Sequence, residues 1–252
     1  YLQNTDKSIG FVPTMGALHE GHISLIKRAR VENELVVVSI FINPTQFLQG
    51  EDLSTYPKKD DADKKICELS GVDVLFFPHA NDIYTKDEVS VLAPSIRGFV
   101  LEGNSRPGHF NGVLTVVNKL FNIVNPTNAY FGKKDAQQLN LIQLMVQQLF
   151  MNVNIVAVDT MRDKDGLAMS SRNAYLSKVQ RQEALKISKS LYSATNLVIQ
   201  GEESCEVIIE KMKSILEPLE IFYVEILNKE FEKIKKIEVG NSVILVEVKI
   251  GT

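Results

Sequence analysis

Two histidines three residues apart, His19 and His22, stand in the segment 12–22, which reads V-P-T-M-G-A-L-H-E-G-H. The segment follows an apolar run and leads into an amphipathic one, so it is expected to join a strand to a helix. On a first helical turn, the two imidazoles would face the same side, beside backbone N–H groups without intrahelical partners. A helix end of this kind suits a phosphate chain, and Gly16 and Gly21 allow a close approach. Local capping is the simpler interpretation of either histidine alone, whereas the pair favours nucleotide binding.

Amide side chains form a second candidate group. Asn43 and Gln46 are expected just beyond the carboxyl end of the second strand, where open α/β sheets bind ligands. Together with Gln138, on the helix that follows residues 132–135, they can hold the hydroxyls and the carboxylate of a small hydroxy acid. The neighbouring Gln137 is interpreted as a solvated surface side chain.

Charged and hydroxyl side chains complete the set. Lys134 can meet phosphate oxygens while Asp135 positions ribose hydroxyls. The run 170–172, Ser-Ser-Arg, suits the clamping of a triphosphate, with helix capping ahead of Ala174 as the alternative. The acidic residues 60, 61 and 63 are most simply a helix start; as a secondary interpretation, one of them approaches a magnesium ion.

The pattern of apolar residues predicts what positions these groups. Short β-branched runs alternate with amphipathic stretches up to residue 158, and the runs 36–42 and 74–77 are apolar on both faces. This favours an α/β fold with a Rossmann-like, doubly wound parallel sheet over residues 1–158. Two charged helices and two strands then predict a smaller α+β domain over residues 159–252.

Composition limits the partners. The 252 residues are 44% hydrophobic, which is enough to bury a core. The 28 basic and 31 acidic side chains nearly balance, so neither nucleic acid nor an anionic membrane is expected as a partner. The apolar run 35–42 is far shorter than the roughly 20 residues of a membrane span. Cys67 and Cys205 lack metal or disulfide spacing, which favours the cytoplasm.

The segment 13–22 resembles the signature of the pantothenate synthetase family, within the nucleotidyltransferase superfamily marked by H-x-G-H. Three further segments in the same order resemble that family: F-I-N-P-T-Q-F at 41–47, F-G-K-K-D-A-Q-Q-L at 131–139 and D-G-L-A-M-S-S-R-N at 165–173. The segment S-R-P-G-H-F at 105–110 resembles a family segment near the substrate pocket, which makes Arg106 and His109 neighbours of the site. The carboxyl-terminal region matches less sharply.

The resemblance implies a ligase that uses ATP and Mg²⁺ to activate pantoate as an acyl adenylate and then joins it to β-alanine. It also implies a carboxyl-terminal lid and a homodimer, and it leaves the metal ligands unknown. The catalytic residues it implies are His22, His19 and Lys134. The residues it implies for ATP are Met15, Gly16, Ala17, Leu18, His19, Glu20, Gly21, His22, Gly132, Lys133, Lys134, Asp135, Met161, Met169, Ser170, Ser171 and Arg172. Those for pantoate and β-alanine are Gln46, Gln138, Asn43 and Arg106.

Lys133 departs from the family pattern, which usually has an acidic residue at that position. Its side chain either points to solvent or adds positive potential near the triphosphate. Two other functions stay open. One is an H-x-G-H adenylyltransferase that passes AMP to a phosphate ester, which would need a cationic acceptor site where this chain has the uncharged Gln46 and Gln138. The other is a nucleotide-binding protein without catalysis, for which Lys133 is the hint.

Overall fold

The computed structural model describes residues 5–251 and divides the chain into two compact units, one ending at Met161 and the other beginning at Arg162. Residues 1 and 252, the outer bounds of the two predicted domains, lie outside the described residues.

The first unit contains five parallel strands in the order β3-β2-β1-β4-β5. Its strands are β1 (Ile9–Thr14), β2 (Leu35–Ile40), β3 (Val74–Phe76), β4 (Asn128–Gly132) and β5 (Asn154–Val158). Its helices are α1 (Glu20–Glu32), α2 (Asp60–Leu69), α3 (Ala80–Ile83), α4 (Glu102–Ser105), α5 (His109–Val124) and α6 (Ala136–Gln148), and a 3-10 turn covers Pro44–Gln46. The predicted α/β class and doubly wound sheet are confirmed.

The sheet is covered on both faces. Phe11 and Val37 point into a core with α5 and α6, whereas Val12 and Val38 point into a core with α1 and α2. All four side chains are fully buried. This explains why β2 is apolar at nearly every position, as expected for a parallel strand that has helices on both sides.

The strand order reverses at β1. From β1 the chain proceeds to β2 and β3 on one side, and it then returns to place β4 on the other side of β1. Registered pairing between β1 and β4 runs only from Gly10–Asn128 to Phe11–Ala129, whereas β1 pairs with β2 along its full length. In such sheets ligands bind beyond the carboxyl ends of the strands at the point of reversal.

The second unit contains the two predicted helices and the two predicted strands. Helices α7 (Lys178–Ile199) and α8 (Cys205–Leu216) accompany an antiparallel pair, β6 (Ile221–Asn228) and β7 (Ser242–Val248). Their apolar faces form a core that includes Ile208 and Met212. Over residues 5–251, no helix combines the length and the apolar character needed to cross a bilayer.

Candidate active site at the carboxyl edge of the sheet

His19 and His22 close the amino end of α1. His19 is the N-cap residue, and its Nδ1 accepts a hydrogen bond from the backbone N–H of Gly21 at 3.1 Å. His22 lies three residues on, and its Nδ1 accepts from the backbone N–H of His19 at 3.3 Å. The ring centroids are 4.1 Å apart. The prediction that both imidazoles lie together on the first turn is confirmed.

These bonds fix the tautomer of both rings. A nitrogen that accepts a hydrogen bond carries no proton, so the proton of each neutral imidazole is on Nε2. Burial lowers the pKa of His22 to about 3, and the charges of His19 and Lys134 act in the same direction, against the opposing charge of Asp135. At neutral pH, His22 is therefore an uncharged hydrogen-bond donor through Nε2.

A buried carboxylate shapes the loop before these histidines. Asp63 of α2 is 1% exposed, and its two oxygens accept from the backbone N–H groups of Ala17 at 2.7 Å and Leu18 at 2.8 Å. Gly16 has φ +84°, and a Cβ there would lie 3.1 Å from Asp63 Oδ2. The loop thus needs both the glycine and the aspartate. The predicted helix start at Asp60 is confirmed, and the oxygens of Asp63 are engaged within the protein.

The segment after β2 carries Asn43 and Gln46, as predicted. Asn43 is 1% exposed, and its Oδ1 accepts from Tyr84 Oη at 2.7 Å while its Nδ2 donates to Gln46 Oε1 at 3.0 Å. Gln46 Nε2 donates to Met15 Sδ at 3.3 Å. Asn43 therefore holds the Gln46 side chain beside the loop after β1, and a substrate role of its own stays a prediction.

The loop after β4 brings Gly132, Lys134 and Asp135 to the same edge. Lys134 Nζ lies 3.3 Å from Asp135 Oδ1, and both side chains are exposed. Their charges act on His22, so the loops after β1 and β4 are electrostatic neighbours. Lys133 has a different partner: its Nζ donates to Asp159 Oδ1 at 2.6 Å, and that bond lowers the pKa of Asp159.

The interpretation of Gln137 as a surface residue is wrong. Gln137 is 4% exposed, and its Nε2 donates to the backbone carbonyls of Arg97 and Val100, at 2.8 Å each. The helical period of α6 explains this, since Leu141 lies four residues later on the same buried face. Gln138 is half-buried on the first turn of α6.

Arg106 ends the short helix α4 and lies among carboxylates. It forms ion pairs with Glu51 at 2.6 Å and Glu102 at 2.9 Å, and its side chain is 19% exposed. His109, at the start of α5, is 5% exposed and donates through Nδ1 to the backbone carbonyl of Gln46 at 2.7 Å. Both residues are thus neighbours of Gln46, and their place beside the substrate stays a prediction.

The second unit carries the serine-serine-arginine run. Ser170 is the N-cap of a 3-10 turn, Ser171–Tyr175, and its Oγ accepts from the backbone N–H of Arg172 at 3.3 Å. The capping interpretation of Ser170 therefore agrees with the structure. Met169 is half-buried, and Met161, at the end of the first unit, is 41% exposed. The roles of these residues towards ATP stay predictions.

Sequence reasoning missed Asp63, Glu51 and Glu102 as supports of the site. The signal for Asp63 is its spacing: it stands four residues before the buried Cys67, on the apolar face of α2. Glu102 stands four residues before Arg106, the spacing of a helical ion pair. The distance in sequence from Glu51 to Arg106 gives no such signal.

The chain is similar to known proteins over its whole length. The profile of the Pantoate-beta-alanine ligase family matches residues 1–252. A pantothenate synthetase from Sulfurimonas denitrificans is 69% identical over 252 residues, which are 100% of this chain and 92% of that protein. A pantothenate synthetase from Aliarcobacter butzleri is 56% identical over 254 residues, covering 99% of this chain and 93% of that one.

Solved structures are similar as well. The crystal structure of pantothenate synthetase from Thermus thermophilus superimposes with a TM-score of 0.91 at 39% identity, covering 95% of this chain and 89% of that chain. A pantoate-beta-alanine ligase from Francisella tularensis, complexed with beta-gamma ATP and beta-alanine, gives a TM-score of 0.75 at 38% identity, covering 96% of this chain and 90% of that one. The chain therefore belongs to the pantoate–β-alanine ligase family, whose enzymes make pantothenate.

Proposed function

We propose that the chain forms pantothenate in two steps at the carboxyl edge of the sheet. In the first, a carboxylate oxygen of pantoate attacks the α-phosphorus of ATP and pyrophosphate leaves, which gives pantoyl adenylate. In the second, the amine of β-alanine attacks the acyl carbon, AMP leaves and a proton is released. The supporting observation is that three adjacent strands, β2, β1 and β4, deliver Gln46, the histidine pair and Lys134 to one edge.

The histidine pair and Lys134 are proposed to act on the phosphates. Attack on an already anionic triphosphate requires its charge to be stabilised by positioned donors. His22 offers its Nε2–H without carrying a charge of its own, and Lys134 offers an exposed ammonium close to it. His19 holds the turn through Nδ1, and its ring lies against that of His22, with the centroids 4.1 Å apart.

Ala17 and Leu18 are proposed to line the nucleotide site without donating backbone hydrogen bonds to the phosphates. Their backbone N–H groups already donate to Asp63, so phosphate oxygens would need other donors. A Cβ at Gly132 would meet no atom within 4 Å. This open space gives a nucleotide room at the carboxyl end of β4.

Gln46 and Gln138 are proposed to hold pantoate. Its hydroxyls need both donors and acceptors, and an amide side chain provides one of each. Neither amide carries charge, which suits a substrate whose single negative charge is the carboxylate that reacts. A phosphate ester as acceptor would instead need a cationic site. Arg106, a cation close to Gln46, is already paired with two carboxylates.

Magnesium is proposed to enter with the nucleotide as part of the substrate. Among residues 5–251, no group of three or more His, Cys, Asp or Glu side chains could hold a metal ion. Asp63, a carboxylate close to the predicted phosphate site, is bound to two backbone N–H groups. A resident metal site built from side chains therefore does not fit this part of the chain.

The serine-serine-arginine run is proposed to close over the phosphates and protect the adenylate from water. A homodimer and a cytoplasmic location complete the proposal by family resemblance. Replacement of Arg172 by Ala tests the first point: the rate of adenylate loss to water, measured as AMP release with ATP and pantoate but without β-alanine, should rise relative to ligation.

The deciding experiment incubates the protein with ATP, Mg²⁺ and pantoate, with and without β-alanine, and identifies the products by mass. Pantothenate and AMP are expected with both acids, and pyrophosphate exchange with pantoate alone. A dinucleotide formed from a phosphate ester would show the other adenylyltransferase activity. Failure to release pyrophosphate with pantoate present would show a nucleotide-binding protein without catalysis.

A further inference from the structure

All five N–H groups of the Arg106 guanidinium have partners within the protein. Nε and Nη2 donate to the two oxygens of Glu51, at 2.6 and 2.7 Å. Nη1 donates to Glu102 at 2.9 Å and to His109 Nε2 at 3.1 Å, and Nη2 also donates to the backbone carbonyl of Gln46 at 3.3 Å. A substrate carboxylate could therefore bind Arg106 only after one of these bonds breaks.

The same bonds define the state of His109. Its Nδ1 must carry the proton, because it donates to the carbonyl of Gln46, so Nε2 accepts from Arg106. Burial lowers the pKa of His109, and the charge of Arg106 lowers it further. The ring is thus neutral, with its proton on the nitrogen opposite to that used by His19 and His22.

Helix α5 also contacts the backbone of Thr45 and Gln46 through Gly112. A Cβ on Gly112 would lie 2.4 Å from the carbonyl oxygen of Thr45 and 2.7 Å from the backbone nitrogen of Gln46. The Gly112 carbonyl accepts from Asn43 Nδ2 at 3.2 Å, and that amide also donates to the Gln46 side chain. Backbone and side chain of Gln46 are therefore both fixed by the amino-terminal end of α5.

We propose that Glu51, Glu102, Arg106 and His109 form a Gln46 anchor, in which Arg106 and His109 are positioning residues for the amide that holds pantoate. This inference rests on the proposed function, since it assigns the anchor to the pantoate side of the site. His109 makes the short bond to the Gln46 carbonyl, Arg106 orients His109, and the two carboxylates orient Arg106. His109 is buried, so water cannot replace its bond to the Gln46 carbonyl without cost.

The first test replaces His109 by three side chains. His109→Asn places an amide N–H close to the former Nδ1, whereas His109→Gln places it towards the former Nε2, and His109→Ala removes both. In pantoate-dependent ATP–pyrophosphate exchange, the Gln and Ala variants should raise the KM for pantoate about tenfold, the effect of deleting the short bond to the Gln46 carbonyl, which then keeps only the 3.3 Å bond from Arg106. The Asn variant should recover most of that loss.

The KM for ATP separates positioning from general damage. It should stay within about twofold in all three variants, because the predicted phosphate groups lie on other loops. A variant that was merely less folded would lose active enzyme and hence kcat, with both KM values unchanged. Glu51→Gln, a change of charge without a change of shape, provides a second variant and should raise the KM for pantoate alone.

A double-mutant cycle with Gln46→Ala completes the test. Once the Gln46 amide is gone, His109→Gln should change the KM for pantoate by less than about twofold. If wild-type protein shows no pantoate-dependent exchange, the proposed function fails. If wild-type protein shows exchange but His109→Gln and Glu51→Gln leave the KM for pantoate unchanged, or if the effects of His109→Gln and Gln46→Ala multiply independently, the anchor alone is refuted.

Discussion

The imidazole of His22 accepts the backbone N–H of His19 through Nδ1, so one ring both caps α1 and presents the Nε2–H proposed to meet phosphate. The two nitrogens of His22 thus have separable tasks. A substitution that removes the whole ring cannot distinguish the loss of the cap from the loss of the donor.

His22→Asn should distinguish them. The Asn side-chain oxygen can accept from the His19 N–H as Nδ1 does, but the variant has no group at the Nε2 position. Pantoate-dependent exchange should fall by about 100-fold or more, the usual effect of deleting one preorganised donor. Its free energy of unfolding should stay close to that of wild type, whereas His22→Ala should also lose about 1 kcal/mol of capping energy. Near wild-type exchange in both variants would exclude His22 from the chemistry.

The pH dependence of stability should report the burial of His22. Its pKa is about 3 in the folded protein, against the ordinary histidine value of 6.5. Between these values the unfolded chain binds more protons, so the free energy of unfolding falls as the pH is lowered from about 6.5 towards 3. His22→Asn lacks this contribution, and the lowered pKa of His109 is common to both proteins. Urea unfolding at both ends of that range should show the stability of wild type relative to the variant decreasing on acidification; a constant difference would contradict the shift.

Lys134 and Lys133 form a matched pair of neighbouring cations. Lys134→Ala should lower pantoate-dependent exchange by about 100-fold, because its charge reaches the predicted phosphate site beside His22. Lys133→Ala should be far milder, because its side chain is 55% exposed and its ammonium is paired with Asp159. Exchange assays of the two variants at saturating pantoate provide the comparison. Equal and severe losses would place Lys133 on the nucleotide as well.

Asp63 should be required for the form of the loop before α1. Asp63→Asn replaces one acceptor oxygen with an N–H donor that faces a backbone N–H, which should lower the free energy of unfolding by about 1–3 kcal/mol. The KM for ATP should rise because Ala17 and Leu18 lead directly into the histidine pair. Asp60→Asn, at an exposed position in the same helical turn, serves as the control: it should leave the KM for ATP unchanged and lower the free energy of unfolding by less than about 1 kcal/mol, the usual contribution of an acidic residue at a helix start. A stable Asp63 variant with an unchanged KM for ATP would remove Asp63 from the support of the site.

Hydrophobic periodicity was sufficient to predict the strands and helices that carry the site. The apolar run that becomes β2 is buried throughout, and the spacing of His19 and His22 does place both on one turn. Because the carboxyl ends of parallel strands share an edge, the meeting of the Lys134 loop with that turn also follows from the predicted topology. These features depend on hydrophobic periodicity and on the rule that the carboxyl ends of parallel strands share one edge of the sheet.

Polar side chains whose partners lie within the protein could not be predicted from periodicity. Gln137 has the chemistry of a surface residue, and its buried Nε2 is satisfied only by the carbonyls of Arg97 and Val100. Arg106 has the chemistry of a carboxylate binder, yet its carboxylates come from Glu51 and Glu102. Glu102 is the exception, because its spacing from Arg106 is that of a helical ion pair, whereas Glu51 and the two carbonyls are brought to their partners by the fold alone.

The pairing of β1 with β4, a strand that begins only at Asn128, determines when the site can form during synthesis. Ile9 donates its backbone N–H to Thr127 Oγ1 across 118 residues of chain, so the imidazoles leave the ribosome long before the lysine that is to work with them. A nascent chain that ends before Asn128 contains His19 and His22 but lacks Lys134. Affinity for ATP should therefore appear only after β4 joins the sheet. Incomplete chains should not bind ATP.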